Sequence, residues 1–73
     1  MAKWIRFDEV GDTGKTKIFE VRSLEGEFLL GEIRWFGRWR KYAFFPDADT
    51  IFERDCLMDI ADFLDKVMLE RRK

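Results

Sequence analysis

Pro46, the single proline, divides the chain into two regimes of hydrophobic periodicity. Before it, apolar and polar residues alternate every two positions, the pattern of strands with one face buried. After it, the apolar residues recur at helical spacing. This switch predicts an α+β domain: an antiparallel, meander-like sheet of about four strands packed against one C-terminal α-helix. With 73 residues the chain has room for one domain, taken as 1–73. At this size a hydrophobic core rarely supplies more than about 3–5 kcal/mol of net stability.

The alternation places strands at about 3–9, 15–23, 27–36 and 38–45. Gly11-Asp12-Thr13-Gly14 and Leu24-Glu25-Gly26 read as turns. Gly37 is expected to supply the positive φ of a tight third hairpin. The turns leave open which strand the first one pairs with. The helix is expected over 55–71, with Leu57, Ile60, Ala61, Leu64, Val67 and Met68 on its apolar face and Cys56 and Phe63 widening it. Asp55 is the expected N-cap. Thr50 and Glu53 also fit a capping box, which would start the helix a turn earlier. Lys66, Arg71, Arg72 and Lys73 suit the negative end of the helix dipole.

One helix covers one face of a sheet, so the composition of the other face matters most. A turn at Gly37-Arg38 would pair Phe36 with Trp39, Trp35 with Arg40 and Ile33 with Tyr42. Alternation then gives a core set of Ile5, Phe7, Phe19, Val21, Leu29, Gly31, Ile33, Trp35, Tyr42 and Phe44. The opposite, open face takes Asp8, Ile18, Glu20, Leu30, Glu32 and Ala43, together with a candidate partner-binding surface of Trp4, Arg6, Arg22, Arg34, Phe36, Trp39, Lys41 and Phe45. Trp and Arg are the side chains that dominate protein interfaces, so a protein partner, a second copy included, is the first expectation. The same mixture could stack bases and neutralise phosphates, which makes single-stranded nucleic acid or RNA the alternative. Glu20 and Glu32 on that face weigh against it. The bland alternative is that long Arg and Lys stems shield the rings and the face binds nothing.

Net charge is −1, but it is a cancellation. Residues 1–46 carry +2, residues 47–65 carry −6 and residues 66–73 carry +3. A near-neutral chain built from such blocks can still offer a basic face to a partner.

Catalysis is the least supported class. The chain has no histidine, which removes the commonest general base and metal ligand. Gly14-Lys15-Thr16 resembles the end of a phosphate-binding loop, but Glu9 stands where that motif needs glycine. Asp47-Ala48-Asp49 begins like a calcium loop, yet Phe52 and Met58 occupy its glycine and glutamate positions. Asp55, Asp59, Asp62 and Asp65 read as a solvated helix face, with Asp62 and Lys66 as an i, i+4 ion pair. Cys56 has no base beside it and reads as a small buried hydrophobe, and Ser23 likewise lacks a base. The Tyr42 hydroxyl is expected to find a polar partner at the sheet margin. We therefore expect no enzyme, no cofactor and no metal. The lone cysteine and the absence of any apolar run of the roughly 18–20 residues a membrane span needs point to a cytoplasmic protein. The charged N-terminal stretch does not read as a signal peptide.

The run Leu30-Gly31-Glu32-Ile33-Arg34-Trp35-Phe36-Gly37-Arg38-Trp39-Arg40-Lys41-Tyr42-Ala43-Phe44-Phe45-Pro46, followed by Cys56-Leu57-Met58-Asp59-Ile60-Ala61-Asp62-Phe63-Leu64, resembles small uncharacterised proteins of bacteriophages and mobile elements, including integron gene cassettes. The likeness covers about residues 15–65. It implies a cytoplasmic bacterial setting and an accessory, macromolecule-binding role, and it carries no catalytic or ligand residue.

Overall fold

The computed structural model of the chain describes residues 4–71. Four strands, β1 (Ile5–Asp12), β2 (Lys17–Ser23), β3 (Leu29–Phe36) and β4 (Lys41–Pro46), form one antiparallel sheet in the order β1-β2-β3-β4. A single helix, α1 (Arg54–Arg71), packs on one face. The topology is an open meander. Lys3, expected to open the first strand, and Arg72 and Lys73, expected at the helix end, lie outside the described residues.

Most of the sheet's share of the core is the set that alternation predicts, Leu29 and Leu30 excepted. Val21 and Ile33 are fully enclosed at the sheet centre, with Ile5, Phe19, Tyr42, Ile60 and Val67 around them. Phe63 clamps the helix to the sheet, stacking on Phe7 at 4.1 Å between centroids and meeting Phe19 edge-on at 4.9 Å. The Lys17 backbone N–H donates to the Tyr42 hydroxyl at 3.0 Å, so the buried ring has its polar partner.

The third hairpin differs from the expected one. Its turn spans Gly37–Arg40, closed by Trp39 N–H to Phe36 C=O and Arg40 N–H to Gly37 C=O. The positive φ falls on Arg40, at 54°, rather than on Gly37. Phe36 therefore pairs with Lys41, Trp35 with Tyr42 and Ile33 with Phe44. This is a slip of two residues, and a slip of two preserves which face each side chain takes. Trp39 leaves the strand and rides on the turn.

A bulge changes two assignments of face: Leu29, expected in the core, pairs with Arg22 of the open face and lies outside the core cluster, and Leu30 makes the opposite move. Val21 pairs with Gly31 but Arg22 pairs with Leu29, so Leu30 is an extra residue in β3. The bulge turns Leu30 from the expected open face into the core, where it is buried. A second irregularity at Val10 lets β1 run on to Asp12, beyond the predicted end at Glu9.

The helix also sits differently. Glu53, not Asp55, is the N-cap: its carboxylate accepts from the Cys56 N–H at 2.7 Å. Thr50 donates instead to the Asp47 carbonyl, and the helix does not start a turn earlier. Stacking of Phe63 on Phe7 turns the Cys56–Ile60–Phe63–Val67 row toward the sheet. Leu57 and Ala61, expected in the core, are exposed. Lys66 lies over the Phe63 ring, at 6.0 Å, and Asp62 forms no ion pair among the described residues.

The cap has a pH signature. The N–H groups of Asp55 and Cys56 hold the Glu53 carboxyl below its ordinary range. A depressed acid stabilises the fold above its unfolded-state value, and that contribution is lost as pH falls through the lower folded value. Glu53→Gln should lower the neutral-pH melting temperature and make the acid limb of melting temperature against pH shallower. An unchanged limb would show that the cap is not ionised in the way described.

Candidate functional site: the open sheet face and its hairpin tip

The register arranges the open face in rows. Asp8 lies opposite Glu20, and Glu20 opposite Glu32, so three carboxylates cross three strands side by side. Arg6 lies opposite Arg22 in the next row. Like charges facing each other across strands are unfavourable. The compensation runs along the strands instead. Arg6 pairs with Asp8 at 3.0 Å and Arg22 with Glu20 at 2.9 Å, while Arg34 stands 4.0 Å from Glu32. Arg6 also binds Glu27, and Arg22 donates to the Glu27 carbonyl at 3.0 Å. Three of the four cations predicted for this surface are thus already engaged.

The aromatic residues gather at one end. Phe36 is flanked edge-on by Trp39 at 4.8 Å and by Phe45 at 6.0 Å. The Arg34 guanidinium lies 4.3 Å above the Phe45 ring. Trp39, 63% exposed, tops this cluster. Arg38 and Arg40 flank Trp39 in the turn and Lys41 follows, all three exposed, and none has a carboxylate partner among the described residues.

Trp4 is not part of this cluster. It precedes β1, at the opposite end of the sheet and on the opposite edge strand, where it borders a shallow depression with Phe28, Ile51 and Cys56. The expected eight-residue surface therefore divides. Phe36, Trp39, Lys41, Phe45 and Arg34 come together, Arg6 and Arg22 sit in the ion-paired lattice, and Trp4 stands apart.

Alternation did not reveal an apolar groove beside this tip. Between α1 and β4, Tyr42, Ala61, Leu64, Met68 and Leu69 line a trough that also takes in Asp65 and ends at Arg40 and Lys41. The signal for it was present in Leu69, an apolar residue outside the predicted helix stripe, but seeing it required knowing that α1 leans over β4.

Cys56 is half-buried against the core. Burial pushes its thiol pKa up, and the nearby Glu53 carboxylate adds to this. That is the opposite of an activated thiolate. The Asp55, Asp59, Asp62 and Asp65 stripe forms no group able to hold a metal among the described residues. No described helix is long and apolar enough to cross a membrane.

Comparison with known proteins bears on origin. The chain is 31% identical over 72 residues to the "Uncharacterized 9.3 kDa protein" of Acholeplasma phage L2, an alignment covering 97% of this chain and 92% of the relative. The chain belongs to this phage protein family. No family model and no solved structure matches it.

Proposed function

We propose that this phage-family protein is a non-catalytic binding module of the bacterial cytoplasm, and that its hairpin tip engages a protein partner with acidic and apolar surface. The observation that carries this reading is Trp39, exposed beside Phe36, in a turn whose neighbouring residues Arg38, Arg40 and Lys41 are all exposed cations. A ring that is rigidly backed and flanked by cations is the usual chemistry of an interface hot spot. The adjoining trough of Ala61, Leu64, Met68 and Leu69 extends the contact with the apolar area that interface centres need. The same reading covers an accessory role for a phage or another mobile element.

Single-stranded nucleic acid is the second reading, favoured by the three cations without carboxylate partners beside a stacking ring. The carboxylate row of Asp8, Glu20 and Glu32 counts against it, because a phosphate backbone laid over the sheet would meet that row.

A photo-crosslinking side chain at position 39, compared with the same probe at exposed Leu24, tests the proposal in a bacterial host. Protein adducts specific to position 39 are expected. Adducts at 39 no more abundant than at 24 would reject the tip as a contact surface, and adducts only to nucleic acid would favour the second reading. Trp39→Ala should abolish partner binding while moving stability by no more than about 0.5 kcal/mol, as for an exposed position without a special backbone role. Unfolding of that variant would show that the ring is structural.

A further inference from the structure

The two edges of the sheet are treated differently. On β4 the outward Tyr42 N–H donates to the Met68 sulfur at 3.4 Å, and Pro46 has no N–H to offer. These are the devices that keep edge strands from pairing with other chains. Among the described residues the opposite edge, β1, has no such cover. Leu24 N–H donates to the Trp4 carbonyl at 2.8 Å, which turns the even-numbered residues of β1 toward β2. The backbone groups of Ile5, Phe7 and Glu9 consequently point out of the sheet. The bulge at Val10 ends this regular stretch, leaving five residues, 5–9, available as one straight edge.

Going beyond the hairpin-tip reading, we infer that β1 pairs antiparallel with β1 of a second copy, about a two-fold axis at Phe7. The charges select both partner and register. Centring on Phe7 overlaps the whole five-residue stretch and places Arg6 opposite Asp8 of the second copy, twice. With the existing Arg6–Asp8 pair of each chain, four charges of alternating sign then surround the axis. Moving the axis to Arg6 sets two arginines face to face, and moving it to Asp8 sets two aspartates face to face. An axis at Glu9 opposes two glutamates. Like charges directly opposite one another are unfavourable on a sheet, so one register stands out. The backbone groups of Ile5, Phe7 and Glu9 all find partners in it, in the manner of strand addition. The helix backbone lies nearest β4, so it leaves the β1 edge open to a neighbour. The product is an isologous dimer with one continuous eight-stranded sheet and both hairpin tips on its outer edges.

Sedimentation equilibrium on the full chain, with circular dichroism melts as a control for folding, tests this. The wild type should associate to a dimer. Arg6→Asp and Asp8→Arg should each weaken association about tenfold or more, because each makes the facing pairs alike in charge. Mixing the two variants should restore a one-to-one dimer to within a few-fold of wild type, since each reversed charge then faces its opposite. That rescue cannot come from a variant that fails to fold. Trp39→Ala should leave the dimer unchanged. A wild type monomeric into the hundreds-of-micromolar range (weak interfaces dissociate at about such concentrations) would overturn the inference. So would single variants that associate normally, a mixture that fails to recover, or loss of the dimer on Trp39→Ala. The last outcome would move self-association to the hairpin tip.

Discussion

Gly31→Ala is expected to remove more than half of the protein's net stability. A Cβ built on Gly31 falls 2.5 Å from the Phe45 carbonyl oxygen and 2.8 Å from the Phe44 ring. The ring could swing aside, but the carbonyl belongs to the neighbouring strand backbone and cannot move without opening the β3–β4 ladder. Overpacking of this kind costs typically about 1–3 kcal/mol, and the backbone clash puts it at the upper end. A chain this small has only about 3–5 kcal/mol of net stability to lose. The glycine is therefore required by close approach and not by an unusual φ, since only Gly14 and Gly26 among the glycines take positive values. Urea melts followed by circular dichroism would measure the loss. A Gly31→Ala midpoint close to wild type would mean that β4 can retreat from β3 at this point.

Phe63→Ala should be comparably severe, by the opposite mechanism. Phe63 is the side chain through which the helix holds β1 and β2, stacked on Phe7 and edge-on to Phe19. Removing it deletes both contacts and leaves a void that the helix cannot close without losing Ile60 and Val67 from the core. Phe→Ala changes in cores cost about 3–5 kcal/mol, the same size as the whole net stability. The expected result is loss of the cooperative melt. Phe63→Leu, which keeps apolar volume but not the stacking, should retain a cooperative transition at lower temperature. If Phe63→Ala loses less than about 1 kcal/mol, the helix is held to the sheet through Ile60 and Val67 instead.

Much of this was legible before the structure. Val21, Ile33, Phe19 and Tyr42 are core residues on alternation alone, and Ile60 and Val67 on helical spacing. The shared face of Phe36 and Phe45 was legible too, by strand parity, whereas Trp39 meets Phe36 from the turn. The shared face survived a wrong turn length, since the error was two residues and not one. Leu30 was misplaced because a bulge adds a residue without any change in the alternating pattern around it. Trp4 was misplaced for a different reason. Parity says which face a side chain takes but not where along the sheet it lies. Glu53 was overlooked as the cap because Asp55 is the stronger N-cap by residue type, while the path of the chain out of β4 decides where the helix starts.

The sequence by itself determined the local periods, and through them the two faces of the sheet and the buried stripe of the helix. Periods of 2 and 3.6 are properties of the backbone within a few residues, so they can be read one segment at a time. Only the tertiary structure decided what the charges and edges do. Arg6, Arg22 and Arg34 of the open face each pair with a carboxylate two positions away, while Arg38, Arg40 and Lys41 at the hairpin tip have none among the described residues. One edge is capped by Met68, and the other has no such cap among the described residues. These outcomes depend on strand offset and on the side to which the helix leans. Both are set by packing between residues far apart in the chain, on which local periodicity carries no information.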